Sequence, residues 1–453
     1  MKIIDRKWWV LIAIGTGSFM AALDGSVVNT ILPVVREAFT SNVATVEWVV
    51  TIYLLVLSGL LLPFGRLGDL RGHKSVYTWG FGIFVTSSAL CGEAQTPETL
   101  ILFRGLQAVG AAMLASNAPA ILTGNFPGTM RGRALGLTSM MTYIGLTVGP
   151  SFGGWLAQAL GWRSVFYINI PVGALALVLS LVFIPKDSIV ESRQRFDVSG
   201  GLLFLAGLTA LLFGLNKGAD WGWASLPVLA LLAGAVLLIV IFILVESHSP
   251  APMLDLSLFR VPLFSAATTS AVLNYICVYT ITFLMPFYLI QGRGLNSAQA
   301  GLLLTAQPVM MAIAAPISGA LSDRTGSRWP GMIGMAVLSA GLFLLASLGS
   351  ATSLLIAALA LALAGLGTGT FISPNTSALM GSAPKQRQGI ASGVQAAARN
   401  IGMVLGIGLA GAIFTSHLVL NAPETLYRGI DMGFLVAGGI AVIGIVMSAI
   451  KEK

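Results

Sequence analysis

The sequence predicts an all-α integral membrane protein: two six-helix bundles with two further helices inserted between them, fourteen transmembrane helices in all. Three observations carry that prediction. Only 9% of the 453 residues are charged and 56% are hydrophobic, whereas a soluble domain needs about a quarter charged residues to cover its surface. Apolar runs long enough to cross about 30 Å of hydrocarbon at about 1.5 Å per residue recur from end to end. One loop sequence also returns: Gly65-x-x-x-Asp69-x-x-Gly72-x-Lys74 reappears 254 positions later as Gly319-x-x-x-Asp323-x-x-Gly326-x-Arg328.

In lipid every backbone amide needs a partner within the chain, which leaves helices or closed barrels. The runs lack the period-two alternation of barrel strands. The first, near 8–33, follows Lys2, Arg6 and Lys7 and has no small-residue cleavage site after it, so it is expected as a retained helix and not a signal peptide. Runs near 45–65 and 75–94 flank the first copy of the loop. Those near 98–122, 134–158 and 166–184 complete an N-terminal bundle over residues 1–185. The next two, 199–216 and 226–245, sit between the polar stretches PKDSIVESRQRFDVSG and ESHSPAPMLD. A six-helix half needs fewer residues than the repeat spacing provides, so this pair is expected as an insert with its linkers, 186–255. Runs near 262–290, 298–320, 330–348, 352–378, 388–414 and 432–450 form the C-terminal bundle, 256–453.

Charge placement orients the chain. With both termini cytoplasmic, inner loops and ends hold 18 Lys and Arg against 5 in outer loops, as the positive-inside rule requires. The net charge of +8 is therefore topological, and no basic soluble face exists for nucleic acid. All nine tryptophans lie within a few residues of a predicted helix end, the aromatic belt of the headgroup region. Cys91 and Cys277 have no paired spacing, so neither a disulfide framework nor a zinc site is indicated.

Among seventeen acidic residues only Asp24 sits well inside a predicted span, roughly 22 Å above the inner interface. An ionised carboxylate there is costly unless a cation or water attends it, which makes Asp24 the natural proton carrier or else a structural hydrogen-bonding group. Arg104 lies at a similar depth in the fourth run; it can hold Asp24 ionised when near and free a proton-binding site when the two part, or simply pin two helices together. Arg399 has no acid in its own or adjoining runs. Either it packs against carbonyls, or the interior carries a surplus positive charge that suits a substrate with an anionic group. Tyr53, Gln107, Asn274, Gln307 and Asn375 are polar groups in or near helix interiors and, with Arg399, are candidates to line a substrate cavity or to bridge helices. In the 65–74 loop Gly72 permits a tight turn, Asp69 is placed to meet a helix N-terminus, and Arg66, Arg71 and Lys74 are expected to face the cytoplasm. Gly145, Gly149, Gly153 and Gly154 permit close helix approach, and Pro150 removes a backbone donor and bends the helix; such a stripe can be ordinary packing.

These segments carry a resemblance. GRLGDLRGHK (65–74) resembles the signature loop of the major facilitator superfamily. LDGSVVNTILP (23–33) and GLTVGPSFGG (145–154) are similar to the helix-1 and antiporter motifs of its drug:proton antiporters. RGLQAVGAA (104–112) resembles the R-x-x-Q-G-x-G motif, with Ala108 in place of a glycine, and FPGTMRGRALG, WRSVFYINIPVG and RFDVSG match the fourteen-helix branch. The likeness is strong over the N-terminal half and the insert and thinner beyond, where it rests on the degenerate loop and RNIGMVLG. It implies a major facilitator fold; proton transfer through Arg104; a bend at the interface between the halves where the antiporter motif carries Pro150; and a latch at Gly65, Arg66, Asp69, Arg71, Gly72 and Lys74 that sets which side is open.

No lysine follows a glycine, so there is no phosphate-binding loop and no intrinsic ATPase. Gly365, Gly367 and Gly369 fit close packing in an apolar helix better than a dinucleotide. His73, His248 and His417 are scattered, leaving no metal site and no catalytic triad. The expectation is a monomeric multi-pass transporter of the cell membrane, without cofactor. It exports small amphipathic molecules by alternating access at the expense of a proton gradient. A dedicated exporter of one metabolite, lipid or antibiotic is the alternative, and a non-transporting membrane sensor or scaffold the rival from another class.

Overall fold

The structure, a computed structural model, describes residues 5–41, 43–186, 197–222, 224–248, 254–417 and 423–450. Among these no β-strand occurs and helices follow one another directly. They are α1 (Arg6–Ala38), α2 (Val43–Arg71), α3 (His73–Gly92), α4 (Pro97–Asn125), α5 (Arg131–Leu160), α6 (Ser164–Phe183), α7 (Val198–Trp221), α8 (Leu226–His248), α9 (Pro262–Pro286), α10 (Gln299–Thr325), α11 (Arg328–Leu345), α12 (Leu354–Ser382), α13 (Gln388–His417) and α14 (Pro423–Ser448). Eleven spans among the described residues are long and apolar enough to cross a membrane. Helices α3 and α5 fall short because they exchange large apolar side chains for Gly, Ser and Thr, and in α7 the apolar stretch found among the described residues is Ser199–Leu211. Arg193, Arg195, Lys2, Lys451, Lys453 and Trp223, together with most of the first linker stretch and half of the second, lie outside the described residues.

The helices outrun the apolar runs that announce them. The 65–74 segment, expected as a loop, is mostly the last turns of α2, which carries Pro63 and continues to Arg71; only Gly72 breaks the backbone, at φ 94°. Its repeat behaves alike, with α10 running to Thr325 before Gly326 turns at φ 80°. Both φ values lie where an L side chain is disfavoured, which explains the glycines. Helix α14 starts nine residues before its apolar run, so Asp431, expected outside, is half-buried within a helix.

Packing repeats across the halves. In the first, α1 lies on α5 and α6, α4 on α2 and α3, and α3 on α6. In the second, α9 lies on α13 and α14, α12 on α10 and α11, and α11 on α14. Two seams join them, α2 with α13 and α5 with α10, related by the same exchange. Helices α7 and α8 pair with each other, and α7 rests on α2 and α13. Leu55 and Leu62 of α2, Phe204 and Leu208 of α7 and Val394 of α13 share one buried apolar cluster there. Trp79, Trp155, Trp221 and Trp329 expose much of their rings on the outer surface, as residues at a bilayer interface do.

Candidate functional site

Asp24 on α1 is 1% exposed and ion-paired with the equally buried Arg104 of α4, Nη1 to Oδ2 at 2.7 Å. Five helices build the surrounding network. Gln107 of α4 donates from Nε2 to Asp24 Oδ1 at 3.0 Å, and Asn169 of α6 donates from Nδ2 to the same oxygen at 2.7 Å. Both amides also donate to Ser88 Oγ on α3, at 3.2 and 3.0 Å, and that hydroxyl in turn donates to the Phe166 carbonyl at 2.9 Å. Arg104 uses Nη1 again on Gln107 Oε1 at 2.7 Å and Nε on the Val49 carbonyl of α2 at 3.3 Å, while its guanidinium lies 4.2 Å over the Tyr53 ring.

Charge and hydrogen bonds are thus balanced around the carboxylate, which is what allows it to stay in a dry site. A proton on Asp24 would remove the counter-charge of Arg104, while Gln107, Val49 and Tyr53 would still hold the guanidinium. The contact that weakens is the one between α1 and α4. Asn169 and Ser88 are not singled out by sequence reasoning; the one signal is an asparagine between isoleucines in WRSVFYINIPVG. Asn169→Ala removes one of three donors to a buried carboxylate and should cost about 1–3 kcal/mol, read as a lower thermal midpoint of the purified protein. Asn169→Gln, which keeps the amide, should recover part of it.

Beside this network a cavity of about 360 Å³ opens between the halves, lined from α1 to α5 on one side and from α9, α10, α12 and α13 on the other. Tyr53 and Arg399 line it; Asp24 and Arg104 are not among its lining residues, and the Arg104 guanidinium lies against the Tyr53 ring that is. The other cavity candidates are elsewhere. Gln107 is fully buried on the ion pair. Asn274 is fully buried between α9 and α11, with Nδ2 3.4 Å from Met335 Sδ. Gln307 presents its backbone to Gly365 of α12, and Asn375 bridges to the Ala267 carbonyl of α9 at 3.0 Å. Asn274 and Asn375 bridge helices within their own bundle, while the buried Gln307 side chain leaves its Nε2 without a hydrogen-bond partner.

At the end of each seam that holds the repeated loop sequence a carboxylate reaches across the halves. Asp69 at the end of α2 accepts the Gly389 and Ile390 N–H groups at the start of α13, at 2.7 and 2.9 Å. Asp323 at the end of α10 accepts those of Gly132 and Arg133 at the start of α5, also at 2.7 and 2.9 Å. Each acid meets the positive end of a helix dipole. Gly65 packs against Gly389, and Gly319 against Gly132, so closely that a Cβ on any of the four would strike the opposing backbone. Asp69 and Asp323 thus make the same contact across the two seams. Arg66, expected in the cytoplasm, is only 6% exposed, because α2 continues past it into the seam. Arg71 is exposed, and Lys74 donates to the Leu181 and Ile184 carbonyls that end α6, at 2.8 and 2.6 Å.

The glycine run of α5 serves a different contact from the one expected. Gly145, Gly149 and Gly153 face α1 at Phe19, Ser26 and Val27, either side of Asp24, and Gly154 faces open space. The close approach lies inside the first half, and Pro150 is on the exposed face. The reason is position along the helix: α5 meets α10 at its first turns, through Gly132 and Gly136, and has turned to α1 by Gly145.

The family profile described as Major Facilitator Superfamily matches residues 14–273 and 267–452. A riboflavin transporter, RibZ, of Clostridioides difficile is 33% identical over 98% of this chain and 97% of its own length. The multidrug resistance protein Stp of Mycobacterium tuberculosis is 33% identical over 93% of this chain and 78% of its own. Among solved structures, the human organic anion transporter MFSD10 superimposes with a TM-score of 0.71 at 15% identity, covering 98% of this chain and 99% of that one, a likeness of fold.

Proposed function

The chain belongs to the major facilitator superfamily and is a multi-pass membrane transporter of small molecules, not an enzyme; from that premise we propose that it is a proton-coupled antiporter exporting small amphipathic compounds by alternating access. The observation that carries the reading is the buried Asp24–Arg104 pair, set one aromatic ring away from a cavity that both halves line. A proton arriving at Asp24 loosens α1 from α4, and the glycine contacts either side of Asp24 pass that movement to α5, which carries one of the inter-half seams. Exchange follows if the proton and the substrate are bound in alternate orientations of the halves.

Export, fourteen crossings, a monomeric state, cytoplasmic termini and the division into bundles 1–185 and 256–453 with an insert at 186–255 belong to the same proposal, supported by the charge asymmetry of the loops and the repeated packing. Multidrug breadth draws support from relatives such as Stp. A second reading, export of one metabolite, is favoured by the full-length match to a protein named for riboflavin alone.

The test is substrate-dependent proton movement in proteoliposomes carrying an internal pH dye. Adding a transported compound should drive proton flux opposite to its own movement. Substrate exchange without proton flux would refute coupling. Competition by a panel of unrelated dyes separates the two substrate readings.

A further inference from the structure

The interior charges do not cancel. Asp24 and Arg104 neutralise each other and neither lines the cavity, so the pair brings it no net charge. Arg399 is the only charged residue among those lining the cavity, and among the described residues it has no acidic partner. Around it stand Tyr53 of α2, Tyr143 of α5 and Tyr275 and Tyr279 of α9. Tyr275 and Tyr279 lie on the helix that Arg399 packs against, and Tyr143 faces it from the other half.

A ring of tyrosines alone would suit a quaternary ammonium compound as well as a neutral one. The guanidinium decides between them. A cation entering here finds no carboxylate to replace its lost hydration and meets a like charge at short range, while an anion finds a planar fork of donors that cannot be discharged. Tyrosine hydroxyls can donate to the same anion, and their ring faces offer stacking surface to a flat skeleton. The volume, about 360 Å³, falls in the range of sites that take drug-sized ligands.

We propose that this cavity binds planar aromatic compounds bearing a single negative charge, a carboxylate or an ionised phenol conjugated to the ring, with the charge on Arg399 and the skeleton among Tyr53, Tyr143, Tyr275 and Tyr279. The assignment names the substrate class of the transporter proposed above and rests on its cavity being the transport site.

Equilibrium binding tests it without requiring transport. The probes are anthracene-2-carboxylate, anthracene-2-carboxamide and anthracene-2-trimethylammonium, read by fluorescence anisotropy on the full chain in lipid nanodiscs, with empty nanodiscs as the blank. The carboxylate should bind at least tenfold tighter than the carboxamide, with the ammonium compound weakest. Arg399→Gln should bring the carboxylate to within about twofold of the carboxamide, and Arg399→Lys should keep part of the difference. A wild-type preference for the ammonium compound, an equal affinity for acid and amide, a preference that survives Arg399→Gln, or no binding by any probe would each overturn the assignment. Failure of coupling is separately visible: if proteoliposomes show no substrate-driven proton flux but the acid preference still follows Arg399, the binding site stands and the antiport mechanism falls.

Discussion

Asp24→Asn is expected to abolish export against a gradient. In inverted vesicles a pH step of one unit can sustain about tenfold accumulation for each proton exchanged, and that ratio should fall to one in the variant, whatever the step. The amide keeps the shape of the side chain but cannot take up and release the proton. It also leaves Arg104 buried without its counter-charge, a defect worth about 3–5 kcal/mol, and loss of activity alone would then be ambiguous. The double variant Asp24→Asn/Arg104→Gln removes both charges and should restore much of the thermal stability without restoring accumulation. If either variant still concentrates substrate, Asp24 is not the coupling group.

Neutralising the two inner acids should shift the resting orientation of the halves. Asp69 and Asp323 each accept two backbone N–H groups of a helix start in the other half, and hydrogen bonds to a charged group are worth about 1.5–3 kcal/mol each. Asparagine offers one acceptor oxygen and no charge, so each substitution should release about 2–4 kcal/mol of closure, roughly 30- to 1,000-fold in the equilibrium. Cys91 and Cys277 are fully buried, which leaves Ser139→Cys, a cavity-lining position, as a clean reporter. Its labelling by an impermeant maleimide from the cytoplasmic side should accelerate at least tenfold in Asp69→Asn and comparably in Asp323→Asn. The double variant should approach the sum in free energy, since the two acids occupy different seams. Unchanged labelling in both single variants would show that the carboxylates do not hold the inner side closed.

Much of the fold is legible in the sequence because lipid imposes a single rule on the backbone and apolar length reads it out directly. The helix ends are less legible. Nothing in apolarity marks that α2 continues through Arg66 and Asp69 to Arg71, since those turns are buried by the other half and not by lipid. Asp24 and Arg104 could be paired by depth alone, because two lone charges at one level of hydrocarbon have few other solutions. Asn169 and Ser88 could not, since a single amide or hydroxyl in an apolar run has many possible neighbours. The same degeneracy separates Tyr53 and Arg399, which reach the cavity, from Asn274, Gln307 and Asn375, which do not: rotation about the helix axis decides, and fourteen mutually packed helices leave that rotation underdetermined by one sequence. The glycines of α5 face α1, where the sequence suggests the other half, for a related reason. A small-residue stripe announces a close contact without saying with whom.

The inserted pair makes the two seams unequal. Helix α7 rests on α2 and α13, whereas at the other seam α10 shows an uncovered row, Val309, Ile313, Ile317 and Leu321, and α5 exposes Ile144 and Val148. A greasy solute already dissolved among the acyl chains therefore meets the gap between the halves from one side of the molecule only. Lateral entry from the leaflet, if the carrier uses it, is one-sided, and the identity of the lipids bordering α5 and α10 should affect uptake more than that of the lipids around α7 and α8.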